Sequence, residues 1–397
     1  MKTARLLGAL ASLLVVQCTQ PDPAEPSAPG DPAAARFTLT PAEAVDEARE
    51  ARAAIAPATR SGVVEVRSVV RHRAQAADAA AEVNPSLYVV NFAADGGFAI
   101  VAADRRQSAT VYAVSDEGSF PDPATLGDGT LDMLFSRIET LAAAPASARS
   151  GSYATGVWKD TKRKAPLVAM RWGVEAPFNQ WDEVTALCQI MSCYEWPAWY
   201  DWASIKSLVC AVPNNPADSV RDAKITALFA DVAAAYCLSK QEWLEKLNYT
   251  CDASEPYRYE TIVGQIDRGR PVYATGFTLL MNDILVNHGW VMDGYLEQTR
   301  TFYPIIDPVD PEKPGWGKLA ASDQPYTETR TLVHCNLCND GRGNGYYLST
   351  LFRRSHAQEP DEGVLPDYDS ANDTLRQIRI TPNIRKLTML ISVPPKS

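Results

Sequence analysis

Two apolar runs, LYVVNF at Leu87–Phe92 and FAIVAA at Phe98–Ala103, are joined by Ala93-Ala94-Asp95-Gly96-Gly97. Runs of that length around a glycine-bearing turn predict an antiparallel hairpin, because tight turns need the positive φ that glycine adopts freely. The neighbours complete the unit. Thr40 can cap a helix, Pro41 suits its first position and Glu43 completes a capping box. Ala109–Val114 reads as a third strand, and Leu131–Ala143 repeats Leu131, Leu134, Ile138 and Leu141 at helical spacing. Residues 37–143 therefore read as a small α+β unit: helix, meander, helix. It offers no catalytic cluster. Its histidine, His72, lies between Arg71 and Arg73 and is expected to be a solvated surface residue.

At 397 residues the chain can bury two or three cores, and its net charge of -10, with no basic stripe, argues against a nucleic-acid partner. Lys2 and Arg5 precede an apolar run, LLGALASLLVV, that is too short to span a bilayer and ends near Cys18. Residues 1–18 are expected to be a lipoprotein-type signal with Cys18 as the lipidated residue, although Gln17 is not the small residue preferred there. Ordinary secretion is the alternative. Residues 19–36 read as a Pro/Ala-rich tether, so the expectation is an exported protein of the bacterial cell envelope, anchored by lipid or secreted. Setting Cys18 aside leaves an odd number of cysteines among the eight, so at least one is unpaired.

Residues 144–165 read as a linker that ends in Lys159, Lys162, Arg163 and Lys164, either a processing site or a solvated charge run. Six segments then carry a family likeness, one from the N-terminal unit and five from the rest of the chain. LYVVNFAADGGFAIVAADRR, with VYAVSDEGSF after it, resembles the pro domain of streptopain-type cysteine peptidases. WGVEAPFN, TALCQIMSCYEWPAWYDWASIKS, the strand around Gly269-Arg270-Pro271-Val272-Tyr273, NHGWVMDGY and HCNLCNDGRGNGYY resemble, in order, segments of the mature enzyme. The resemblance implies a papain-like α+β fold over 166–385, a helical half plus an antiparallel sheet half, preceded by an inhibitory pro domain over 37–143 that sits on the cleft. It implies protein or peptide substrates and Cys-His-Asn chemistry without a cofactor.

Residue by residue, the resemblance places His288 at the general-base position and Asn336 at the position that orients it. Counting back seven residues from Gln189 puts Asp182 where the family has its nucleophilic cysteine. The stretch carrying that cysteine and the start of its helix is expected to be missing. Val174 occupies the place of the oxyanion glutamine, and an isopropyl group donates no hydrogen bond. Leu337 replaces the covering tryptophan and Cys338 a glycine, and the cleft-lining glycine-rich segment has no clear counterpart at its expected place, Tyr236–Lys240. Cys188, six residues beyond Asp182, lies about 9 Å along a helix and roughly 240° around it, too far to substitute.

Cys335-x-x-Cys338 lacks the second pair that structural zinc needs and runs into a turn rather than a helix, against a redox role; a reversible disulfide between the two stays open. Asp293, Asp340 and the acidic run 359–362 have no EF-hand spacing. The segment 296–331 reads as a Pro-rich surface loop, 376–384 as the last strand and 386–397 as a C-terminal extension. The expected function is that of a streptopain-like peptidase homologue impaired by loss of its nucleophile. An active peptidase with a rearranged nucleophile and a non-enzymatic binding or decoy lipoprotein are the alternatives.

Overall fold

Helix α1 (Pro41–Ile55) opens on the anticipated capping box: Thr40 Oγ1 accepts from the Glu43 amide at 3.3 Å and Glu43 Oε2 from the Thr40 amide at 2.8 Å. Such a cap contributes about 1 kcal/mol. Ala44, Ala48, Ala51 and Ile55 form its buried stripe, and the small alanines let it lie close on the sheet. The computed structural model describes residues 38–56, 64–72, 86–105, 107, 109–126, 129–143, 153–178, 180–210, 218–236, 246–247, 249, 254–279, 285–304, 325–353 and 388–390. The signal and tether expected over 1–36, the acidic run 359–362 and the strand expected over 376–384 lie outside them.

Beneath α1 runs an antiparallel meander of β1 (Val66–His72), β2 (Leu87–Phe92), β3 (Phe98–Ala102) and β4 (Val111–Ser115). Gly97 turns the β2–β3 hairpin at φ +99°, where a Cβ would fall 2.0 Å from the Ser115 carbonyl oxygen. Helix α2 (Thr130–Ala142) buries Leu131, Leu134, Phe135 and Ile138 on the same unit. Strand β1 was not anticipated, and it changes His72. The imidazole is half-buried rather than a free surface group: its Nε2 lies 2.6 Å from Glu139 Oε1 and its ring meets Phe135 edge-on.

The sheet does not stop at residue 143. Strand β5 (Tyr153–Thr155) and β6 (Lys159–Lys164) pair with β9 (Leu285–Pro304), so much of the expected linker is sheet. The side chains of β6 are exposed while its backbone is paired, which is why its charges read as a linker. The expected loop 296–331 is likewise corrected at both ends, since β9 and β10 (Tyr326–Asn336) pair from Phe302↔Tyr326 down to Val291↔Asn336. Strand β7 (Ser254–Pro256), β8 (Val272–Leu279), β11 (Gly345–Leu348) and β12 (Thr388–Leu390) complete it, with β12 inside the expected C-terminal extension. Among the described residues the order is β1-β2-β3-β4-β11-β10-β9-β8-β12-β7, and the pairings are antiparallel.

Two hydrophobic cores flank this sheet. Trp290, Met292 and Cys335 point into the core shared with α1 and α2. Val291 and Tyr273 point into a second core with Trp172, helix α3 (Asp182–Tyr194) and helix α5 (Ser219–Tyr236); the short α4 (Trp202–Ile205) lies between these helices in sequence. Helix α6 (Tyr259–Asp267) adds Ile262 and Ile266 to the first core. The architecture is α+β.

Candidate active site

Every residue from Glu183 to Ser192 is buried, so α3 runs through the second core as a central helix. Its start is present, contrary to expectation, and its first residue is Asp182. Trp181 flanks it in extended conformation without a side-chain cap, and Asp182 and Glu183 set two carboxyls in the first turn, where the unpaired amides favour negative charge.

Gly289 determines how closely this helix approaches β9. A Cβ on Gly289 would lie 2.6 Å from the Cα of Glu183, so only glycine lets the helix start seat there. Its neighbour His288 is 2% exposed, and His288 Nδ1 donates to Asp182 Oδ2 at 3.2 Å. The same carboxylate oxygen accepts from Thr130 Oγ1 at 2.7 Å. Thr130 is the first residue of α2, and Met133 beside it packs over Gly276, the β8 partner of His288; a Cβ there would meet Met133 Sδ at 3.0 Å. The N-terminal segment thus lies across the Asp182–His288 pair. Burial raises the Asp182 carboxyl, but hydrogen bonds with His288, Glu183 and Thr130 outweigh it and hold the group below its ordinary value.

Asn336 is placed differently from the expectation. Its Nδ2 donates to the Met170 carbonyl at 2.6 Å and its Oδ1 accepts from Asn344 Nδ2 at 3.1 Å. It pairs with Val291 in the ladder, an odd number of residues from His288, so alternation points the two side chains to opposite faces. Val174 is exposed on a bend. Leu337 is buried, its amide donating to Asn344 Oδ1. Cys338 has φ +58°, a left-handed backbone that glycine adopts more readily than cysteine.

Among the described residues no buried thiol is poised as a nucleophile. Burial pushes Cys188, Cys335 and Cys338 well above the usual thiol range, and it raises Cys193 too. Cys335 and Cys338 belong to different cores on opposite faces of the sheet, and both are free. Asp293 is a structural acid: Oδ1 accepts from His334 Nδ1 at 2.6 Å and Oδ2 from the Val168 amide at 2.9 Å. Among the described residues no group of three or more His, Cys, Asp or Glu side chains is arranged to hold a metal ion.

Three contributors were missed by sequence reasoning: Thr130, Glu183 and Gly289. A glycine directly after His288 was the one available signal, since it marks a close backbone approach; Thr130 comes from a distant segment that no local pattern connects to the site.

Residues 37–140 match the family model of the Spi protease inhibitors. That match relates the N-terminal segment to protease-inhibitor domains and the chain to peptidase biology. A solved structure of the active wild-type Prevotella intermedia interpain A cysteine protease is similar at 15% identity, covering 48% of this chain and 87% of that one with a TM-score of 0.32. A score that low fixes neither fold nor activity. No curated protein matches the sequence.

Proposed function

We propose that this chain is a papain-like cysteine peptidase homologue that no longer hydrolyses peptide bonds and acts as a protein- or peptide-binding protein. The observation that carries the reading is Asp182, at the start of a buried central helix and 3.2 Å from His288 Nδ1. In a working site this is the place of a thiolate, activated by the helix N-terminus and the imidazole. A carboxylate keeps the hydrogen bond to His288 but not the chemistry. The tetrahedral adduct from its attack on an amide carbonyl would expel the carboxylate, a far better leaving group than the amine, and so return the intact amide. Val174 supplies no oxyanion donor. Burial of Cys188 weighs against a displaced nucleophile.

Asn336 fits the orienting position by sequence, but its bonds to Met170 and Asn344 give it a structural task in this chain. Export, and a lipid anchor on Cys18, are part of the proposal and rest on Lys2, Arg5 and the apolar run before Cys18.

The test is digestion of casein and of a quenched fluorogenic peptide library by the wild-type chain beside His288→Ala. No turnover by either protein is expected. Turnover that disappears in His288→Ala would overturn the reading. Incorporation of labelled palmitate, lost in Cys18→Ser, tests the anchor separately.

A further inference from the structure

We infer that residues 37–143 are a permanent wall of this fold and not a removable cover. The inference does not depend on whether the site hydrolyses anything, and four features of the packing carry it.

The first is the β4–β11 junction, where Val114 pairs with Tyr346 and Ala113 with Tyr347 in the middle of the sheet. All four residues are buried. Removing β4 would strip partners from the β11 backbone and open a long edge, which folded proteins avoid. Second, the N-terminal segment has no core of its own: its buried side chains merge with those of the C-terminal segment, which keeps the second core to itself. Leu134, Phe135 and Ile138 of α2 share one cluster with Trp290, Tyr347 and Phe352, and Arg137 donates to the carbonyls of Leu351 and Arg353. Domains that separate meet through smaller, more polar faces.

Third, a buried charged cluster joins three parts of the chain. Arg300 donates to Thr110 Oγ1 at 2.9 Å, pairs with Glu47 of α1 and Glu328 of β10 at 3.4 Å each, and lies 4.5 Å from the Trp158 ring. Arg330 also lies over the Trp158 ring, at 4.0 Å, and donates to Gln298 Oε1. Burial, then Arg300, holds the Arg330 guanidinium down to about 9. Burying a guanidinium is costly, and two of the partners of Arg300, Thr110 and Glu47, come from 37–143, so losing that segment would leave this buried charge short of partners. Fourth, the connecting segment is itself fastened. It pairs with β9 from Tyr153↔Pro304 to Lys164↔Tyr295, and Arg163 reaches the carbonyls of Ala54 and Ile55 at 2.6 and 2.8 Å, satisfying the C-terminus of α1. A cut before residue 153 would leave this strap in place.

Hydrogen–deuterium exchange of the full chain across a urea series, read by mass spectrometry, tests this. Peptides over 87–102 and over 285–300 are expected to lose protection at one shared midpoint, as a single cooperative unit. Loss over 87–102 at lower urea, with 285–300 still protected, overturns the inference. Glu47→Gln is expected to lower both midpoints by the same amount, whereas a shift confined to 87–102 would contradict it. Should that variant fail to fold, the wild-type series decides. Peptide hydrolysis is not read here, so failure would leave the reading of the Asp182–His288 site untouched.

Discussion

Thr130 and His288, from segments expected to be separate domains, bond to the same oxygen of Asp182, at 2.7 and 3.2 Å. Asp182 is thus an acceptor that ties α2 of the N-terminal segment to the buried histidine of β9. Most of what can be tested follows from that shared oxygen.

Thr130→Val keeps the shape of the side chain and removes the donor. A hydrogen bond to a charged group is worth about 1.5–3 kcal/mol, so the urea midpoint should fall accordingly. In an Asp182→Asn background the same change should cost clearly less, because the charged acceptor is gone. Equal costs in the two backgrounds would mean that the Thr130–Asp182 contact contributes nothing.

Gly289→Ala should destabilise the chain by about 1–3 kcal/mol, because the new methyl would sit 2.6 Å from the Glu183 backbone and the helix start must move. Gly264→Ala is the control. That glycine is within α6 and an added Cβ meets nothing closer than 3.4 Å, the end of Arg268, so it should be neutral or slightly stabilising. Urea unfolding of both variants measures this.

Acid should weaken the site. The Asp182 carboxyl is held below its ordinary value, so it contributes stability above the unfolded value of about 3.9, and that contribution is lost as pH falls through the lower folded value. The midpoint difference between wild type and Asp182→Asn should be full above about pH 5 and shrink below about pH 4. A difference that stays constant down to pH 3 would contradict it.

What the sequence disclosed follows from range. Helix α1 was legible from Thr40 and Glu43, and α2 from the spacing of Leu131, Leu134 and Ile138, because these signals are local. The strand Lys159–Lys164 was not, since KDTKRK exposes its side chains and gains its order from backbone pairing with β9. The β9–β10 extension was hidden by the prolines between its strands. Strand β1 alternates only weakly because most of its side chains are half-buried. At the site, the resemblance to the streptopain pattern pointed to Asp182, by its spacing from Gln189, and to His288, whereas the histidine–glycine pair taken alone did not. The bonding of Asn336 to Met170, and of Thr130 to Asp182, depends on partners 166 and 52 residues away and could only be seen in the fold.

The central claim is that position 182 is the nucleophile's place in a Cys-His arrangement, and Asp182→Cys tests it most directly. The intact mass of the native protein is followed during treatment with iodoacetamide, a reagent small enough for a partly covered site. The variant should gain one adduct mapped to position 182, forming about tenfold faster than any label on the wild type, with the gain largely lost when His288→Ala is added. No added label, or a label indifferent to His288, would contradict the account.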